Sequence, residues 1–200
     1  GTQTPVVSGF RAPVGLFVEE GGESVLVGDE NSGHYGANSW GALVRVNLKS
    51  GARSVLHVFY GSDAATGIAV HPKSQDIYFV ARALYRLDRK PGSVPRRVDI
   101  DGNGAARAVV ITPSGEIFVA DSERRALLRV DLATSTATEL VQNQGGFSGG
   151  WIGLASALDG RSLLVGAPNT VTNIPLPPGA PTPKELWTGS SNGLGVFVAV

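Results

Sequence analysis

The side chains with the most chemical promise lie in one stretch, Asp29-Glu30-Asn31-Ser32-Gly33-His34-Tyr35-Gly36-Ala37-Asn38-Ser39-Trp40. An imidazole close in sequence to two carboxylates suits general-base chemistry, with His34 taking the proton and Asp29 or Glu30 orienting the ring. No serine in a nucleophile-elbow motif accompanies it. The same stretch holds Tyr35 and Trp40, and a loop with His, Tyr, Trp and two acids also suits recognition of a ligand or partner. The competing reading is a surface loop whose aromatics cap a sheet edge. Asp121 ends an apolar run as Asp29 does, a position from which Asp caps the following turn; Arg82 and Ala167 are read as their counterparts. Arg107 stands where an apolar or small residue is expected, so it binds an anion or pairs with a carboxylate. His57 and His71 fall on an outer strand and in a turn and are read as surface residues. The Gly-rich stretch from Gln142 to Trp151 lacks the Lys-Ser/Thr ending and following helix of a phosphate loop. Its Phe147 and Trp151 are candidates for lining a binding face. The proline-rich run from Pro175 to Pro183 reads as a stiff connector.

Composition narrows what can position these groups. Two hundred residues can bury about 70% of their unfolded surface, enough for a core without covalent staples. Charged residues make up 17% of the chain, with 27 glycines and 12 prolines, a profile of many short strands and tight turns. The 17 basic and 17 acidic residues cancel, which argues against a nucleic-acid partner, since phosphate contacts demand a basic excess. Apolar runs are of strand length, so no membrane-spanning helix is expected. Without cysteine there is no disulfide, thiol nucleophile or Cys-ligated zinc. The chain opens at Gly1 and contains no methionine, from which a processed or recombinant start is expected. That composition suits a secreted, extracellular or periplasmic protein exposed to oxidation.

A repeat organises the chain. A small residue, an apolar run, a turn and a second apolar run recur four times. The runs are Val14–Val18 with Ser24–Asp29, Thr66–Val70 with Asp76–Val80, Arg107–Ile111 with Glu116–Asp121, and Ile152–Ser156 with Ser162–Gly166. A third strand follows at Ala42–Leu48, Ala83–Asp88 and Ala126–Leu132, with Arg45, Arg86 and Arg129 at one shared position and a worn version at Thr170–Ile174. These arginines are expected to cross between units, with Asp88 or Asp131 as candidate partners. Outer strands are predicted at Arg53–Phe59, Pro95–Ile100, Ala137–Val141 and Lys184–Thr188. The marker residues Gly15, Gly67, Ala108, Gly153 and Gly193 are 52, 41, 45 and 40 apart. That is the period of a β-propeller blade of four antiparallel strands. A small residue is needed where inner strands crowd a common axis, and Pro-Ser-Gly and Asp-Gly turns close the hairpins. A β-sandwich needs no such marker.

The expected units are residues 10–62, 63–103, 104–150 and 151–192 of a single all-β propeller domain or fragment. Residues 1–9 and 193–200 are assigned to an incomplete blade, Thr4–Gly9 as an outer strand and Gly193–Val200 as an inner one. Either the chain is a piece of a larger, six-bladed propeller or the two ends share a fifth, incomplete blade; the first is favoured.

The third unit, Ile111-Thr112-Pro113-Ser114-Gly115-Glu116-Ile117-Phe118-Val119-Ala120-Asp121 followed by Ala126-Leu127-Leu128-Arg129-Val130-Asp131, resembles the NHL-type repeat and the SMP-30/gluconolactonase group of six-bladed propellers. The resemblance extends over nearly the whole chain and rests on blade packing. It implies either a divalent-metal-dependent lactonase or lyase or a non-catalytic binding module. The group's metalloenzymes place carboxylate and amide ligands at the start of inner strands, a donor set suited to Ca²⁺. The matching positions are Val14, Thr66, Arg107, Ile152 and Asn192. Only Asn192, in Asn192-Gly193-Leu194, has the form of such a ligand, and Arg107 brings positive charge towards it. The sequence therefore favours a non-catalytic module with a protein or glycan partner at the face carrying Asp29, His34, Tyr35, Trp40, Arg107, Asp121 and Trp151. A metal-dependent hydrolase using Asn192 is the alternative.

Overall fold

The computed structural model describes Pro5 and residues 7–30, 34–60, 63–100, 105–142, 153–157, 159–167, 170–176 and 184–188. They form sixteen strands. The first sheet contains β1 (Pro13–Val18), β2 (Ser24–Glu30), β3 (Ser39–Asn47) and β4 (Arg53–Tyr60). The second contains β5 (Gly67–Val70), β6 (Ile77–Ala81), β7 (Ala83–Leu87) and β8 (Arg96–Arg97). The third contains β9 (Ala106–Ile111), β10 (Ile117–Asp121), β11 (Ala126–Asp131) and β12 (Thr136–Gln142), and the fourth β13 (Gly153–Ser156), β14 (Ser162–Ala167), β15 (Thr170–Pro175) and β16 (Lys184–Thr188). Each sheet has four strands in simple sequence order, and the pairings defined between neighbours are antiparallel. Two compact units divide at Ile68/Ala69, within β5.

In the unit ending at Ile68, the marker glycines have a concrete cause. Gly15 and Gly28 pair across β1 and β2. A Cβ on Gly15 would fall 2.4 Å from the Ala65 carbonyl oxygen, and one on Gly28 would fall 2.0 Å from the same atom. The segment entering β5 thus lies directly on the β1–β2 backbone, and side chains are excluded by contact rather than by backbone dihedral angle. On the other face of this sheet Val25, Val27, Ala42, Val44 and Val46 form a cluster, with Val7, Phe10, Tyr35 and Leu48 partly buried against it. Phe10 also carries the Arg53 guanidinium 4.5 Å above its ring. The predicted outer strand over Thr4–Gly9 does not form across its described residues; this segment contributes side-chain cover instead of a ladder.

In the unit beginning at Ala69, the third sheet is buried on both faces. Ile117, Val119 and Val130 pack with Tyr78, Val80 and Leu84 of the second sheet. Phe118, Ala120 and Leu127 pack with Leu163, Val165 and Ile174 of the fourth. Strand β10 is buried at every position, which is why its sequence reads as an unbroken apolar run rather than an alternation. The hairpins also interlock: a Cβ on Gly115 (φ +95°) would meet His71 Nε2 at 2.9 Å. His71 Nδ1 accepts hydrogen bonds from Lys73 and Ser74 N–H (3.3 and 3.2 Å), so the ring caps its own turn.

The recurrent arginines pair inside their own sheets, correcting the expectation that they cross between units. Arg45 forks onto Glu19, Nε to Oε2 at 2.6 Å and Nη2 to Oε1 at 2.8 Å, and Ser24 adds a hydroxyl to the same carboxylate. Arg86 reaches Asp76 at 2.7 Å and Arg129 reaches Glu116 at 2.7 Å. In each case the acid belongs to the hairpin between the first and second strands. An arginine on the third strand needs only to reach across the second strand to find it. Asp88, one of the two expected partners, does contact Arg86 (3.1 Å) and holds Arg96 (2.6 Å). Asp131 instead accepts the Ala133 N–H at 2.8 Å. Outer strands are the least regular: β8 shrinks to two residues where six were predicted.

Substituting Gly28 by Ala should lower the unfolding free energy by about 1–3 kcal/mol or more, because the clash is with backbone and not a movable side chain. Denaturant unfolding followed by tryptophan fluorescence measures it, with exposed Ser54→Ala as a control expected within about 0.5 kcal/mol of the parent. A Gly28→Ala protein as stable as that control would mean the close approach is not there.

Candidate functional site

The register places Asp29 and Asp121 at the same point of their sheets, opposite Ala42 and Ala126 respectively. The counterpart in the second sheet is Ala81, opposite Ala83. Arg82 was assigned there from the sequence, and the structure corrects this by one residue. Arg82 is the connector between β6 and β7, at φ +60°, and its carbonyl accepts the Ala106 N–H at 2.9 Å. A one-residue link leaves no turn for an aspartate to cap, which explains Ala81.

At this end of the first sheet the longer link between β2 and β3 folds back on Asp29, which is fully buried. Its Oδ1 accepts the Ala12 N–H at 2.9 Å and its Oδ2 accepts the Tyr35 hydroxyl at 2.7 Å. A buried carboxylate with both oxygens occupied in this way is a structural anchor, tying the approach to β1 to the β2–β3 link. Burial, reinforced by the bond to Asp29, pushes the Tyr35 phenol well above the ordinary tyrosine range. Ser39 closes the link, accepting the Tyr35 N–H at 3.2 Å and donating to the Gly36 carbonyl at 2.8 Å. His34 is exposed, with its ring edge-on to Tyr35 at 4.8 Å. Asp29 therefore orients Tyr35 and not His34, and the pairing of His34 with Asp29 suggested by the sequence does not assemble.

Trp40 lies in β3, not in the loop. It is bulged between Ser39 and Gly41, whose partners on β4 are Tyr60 and Phe59. Trp40 is 43% exposed and Tyr60 71% exposed. Sequence reasoning missed Tyr60; the available signal was an aromatic ending the outer strand just where the apolar run stops.

The equivalent end of the third sheet is built differently. Asp121, 2% exposed, accepts the Glu123 and Arg124 N–H groups at 2.9 Å each, capping the β10–β11 turn as expected. Arg107 points its Nε at Ser122 Oγ (3.4 Å), and Ser122 donates to the Ala105 carbonyl at 3.0 Å. Trp151, Ile152 and Asn192 lie outside the described residues. Of the other inner-strand positions, Val14 has no side-chain oxygen, Thr66 has a single hydroxyl and Arg107 is a cation, none of them the carboxylate or amide that the resemblance implies for a metal ligand. Among the described residues no cluster of three or more His, Asp or Glu side chains is arranged to hold a metal, and no helix is long and apolar enough to cross a membrane.

No protein-family model matches the chain, and no curated protein matches it in sequence. Solved structures do resemble it in shape. An auxiliary nutrient binding protein from Bacteroides thetaiotaomicron VPI-5482 superposes with a TM-score of 0.71 at 14% identity, over 93% of this chain and 44% of that one. A structural-genomics target provisionally assigned as a gluconolactonase gives 0.66 at 15% identity, over 92% and 65%. A chain of a nidogen/laminin complex gives 0.65 at 16% identity, over 80% and 59%. In each case this chain spans less than two thirds of the solved one. These likenesses identify the fold: the four-stranded antiparallel sheets are part of a β-propeller. The propeller architecture that the resemblance implied is thus present at the level of the fold.

Tyr35→Phe should destabilise the protein by about 1–3 kcal/mol by leaving one oxygen of buried Asp29 without its donor. The raised phenol carries a second expectation. A proton held more tightly in the folded state contributes stability that is complete below pH 10 and is lost as pH rises towards the folded value. The parent should therefore lose stability above about pH 10 more steeply than Tyr35→Phe, read from denaturant midpoints at pH 8, 10 and 11. Parallel pH curves would contradict the buried Tyr35–Asp29 bond.

Proposed function

We propose that this chain is part of a non-catalytic β-propeller binding module, engaging a protein or glycan through the strand ends that carry Asp29, Tyr35 and Trp40. One observation carries this reading. The groups best suited to proton transfer are committed to the scaffold, Asp29 to Tyr35 and Ala12 and Asp121 to its own turn. The rings of Trp40 and Tyr60, by contrast, are turned to solvent on neighbouring strands. Exposed aromatics with a polar handle are strong anchors for protein partners and for sugar rings. Arg107 and Asp121 form a second, more polar rim in their own sheet, and Trp151 and His34 are assigned to the ligand face from the sequence alone. The similarity to a nutrient binding protein and to a chain of a nidogen/laminin complex supports binding as the role. The composition, free of cysteine and methionine, supports an exported protein.

A glycan array and a phage-displayed peptide library, both probed with the parent chain, provide ligands. Trp40→Ala with Tyr60→Ala should weaken whatever binds by tenfold or more, a loss of about 1.4 kcal/mol, while leaving the fold intact because both rings are exposed. Undiminished binding by the double variant would remove the proposed surface. Calorimetry with Ca²⁺ tests the competing hydrolase: heat at one site per chain, abolished by Asn192→Ala, would replace this reading.

A further inference from the structure

The hairpin ends of the sheets carry another set of charged positions, at the opposite end of the strands from Asp29 and Asp121. Register makes the second and third sheets directly comparable. In the second, Asp76 precedes β6, Arg86 faces Arg96 across β7 and β8, and Asp88 follows Arg86 by two. Arg86 binds Asp76, and Arg96 Nη2 binds Asp88 Oδ2 at 2.6 Å, so two acids are matched by two arginines. In the third, Glu116 precedes β10, Arg129 faces Thr138 across β11 and β12, and Asp131 follows Arg129 by two. Arg129 binds Glu116 at 2.7 Å, as Arg86 binds Asp76. Thr138, however, stands where the second sheet has Arg96, so two acids face one arginine.

Beside Thr138 lies a cleft of about 510 Å³, lined by Glu116, Arg129, Asp131, Leu132, Thr136 and Thr138 among others. The alternation of the strands brings Arg129, Asp131, Thr136 and Thr138 to one face of the sheet. Asp131 uses Oδ1 for the Ala133 and Thr134 N–H groups of its turn and also takes the Thr134 hydroxyl, and the Glu116–Arg129 pair is half exposed. Arg161, on the hairpin of the fourth sheet, does not line the cleft.

We propose that this cleft receives a guanidinium group from outside the chain, an arginine side chain of a partner peptide, which takes against Asp131 the place Arg96 takes against Asp88. A planar fork suits the site better than an ammonium, because it can meet the carboxylate with two N–H groups and still offer a donor to the threonine hydroxyls. The site is open to water, so a single arginine binds weakly, with a dissociation constant on the order of 1 mM.

The test uses the whole chain and three probes: N-acetyl-arginine amide, its lysine counterpart, and its citrulline counterpart as the neutral isostere. Backbone amide shifts of Ala133 and Thr134 follow binding. Saturable shifts are expected with arginine, weaker ones with lysine, and at least tenfold weaker binding with citrulline. Thr138→Arg supplies the guanidinium internally and should abolish the response while leaving the melting temperature equal or higher. Asp131→Asn keeps an oxygen for the Ala133 N–H and should lose the response too, which covers failure of the first variant to fold. Equal binding of citrulline, an undiminished response in a folded Thr138→Arg protein, or no saturation tenfold above the expected constant would each overturn the proposal.

Discussion

The approach of the Ala65 carbonyl to the β1–β2 backbone, at a distance no side chain can share, is the contact from which the rest of the first unit is laid out. Gly15 and Gly28 sit opposite each other under that oxygen. The same register position holds Ala108 opposite Ala120 and Gly153 opposite Gly166 in the later sheets. Small pairs at this point free the inner two strands of side-chain bulk on one face. The burial of hydrophobic area then falls to the second and third strands, where Leu26, Leu43, Phe118 and Leu127 are all fully enclosed.

Polar groups follow the same register. In the hairpin between the first and second strands of the first three sheets, a carboxylate takes the arginine of the third strand; at the other end, an aspartate or alanine depends on how long the next connection is. Asp121 has a turn to cap and Ala81 does not, because Arg82 alone spans the gap. Asp29 has a longer link to hold and recruits Tyr35 and the Ala12 amide in place of a turn. One position thus carries three solutions, each fixed by local chain length rather than by a shared chemistry.

Much of this was legible beforehand because it is written in residue size and period. The four first-and-second-strand runs, the third strands and the shared arginine position all appear in the sheets close to their expected bounds, except that β3 begins at Ser39, three residues before the expected Ala42. The arginines' partners were not legible, since Glu19, Asp76 and Glu116 lie at two different places in the hairpin and only the fold shows that both reach the same guanidinium site. The shift from Arg82 to Ala81 escaped because a one-residue connection looks in sequence like part of a strand. Outer strands failed in length because edge residues are exposed and leave little apolar pattern: Arg96–Arg97 has none. In the candidate site, the aromatic character of the Asp29–Trp40 stretch was visible, but the commitment of Asp29 to Tyr35 depends on burial, which spacing does not report.

These comparisons bear on how such a scaffold acquires a function. Substituting inside the sheets is constrained on both faces, as β6 and β10 show with no exposed position. The strand ends are not so constrained. Trp40 is accommodated by a bulge that leaves the pairing of Gly41 with Phe59 intact. Thr138 stands where the second sheet has Arg96, and the Glu116–Arg129 pair beside it matches Asp76–Arg86 all the same. Both changes alter what the surface offers while leaving the stacked cores untouched. A repeat built this way can vary one sheet's rim with little effect on the next, because the Arg45–Glu19, Arg86–Asp76 and Arg129–Glu116 pairs and the Asp121 cap each close within one sheet. Similar sheets can therefore carry different surface chemistry at their strand ends, which is why the fold by itself does not fix an activity.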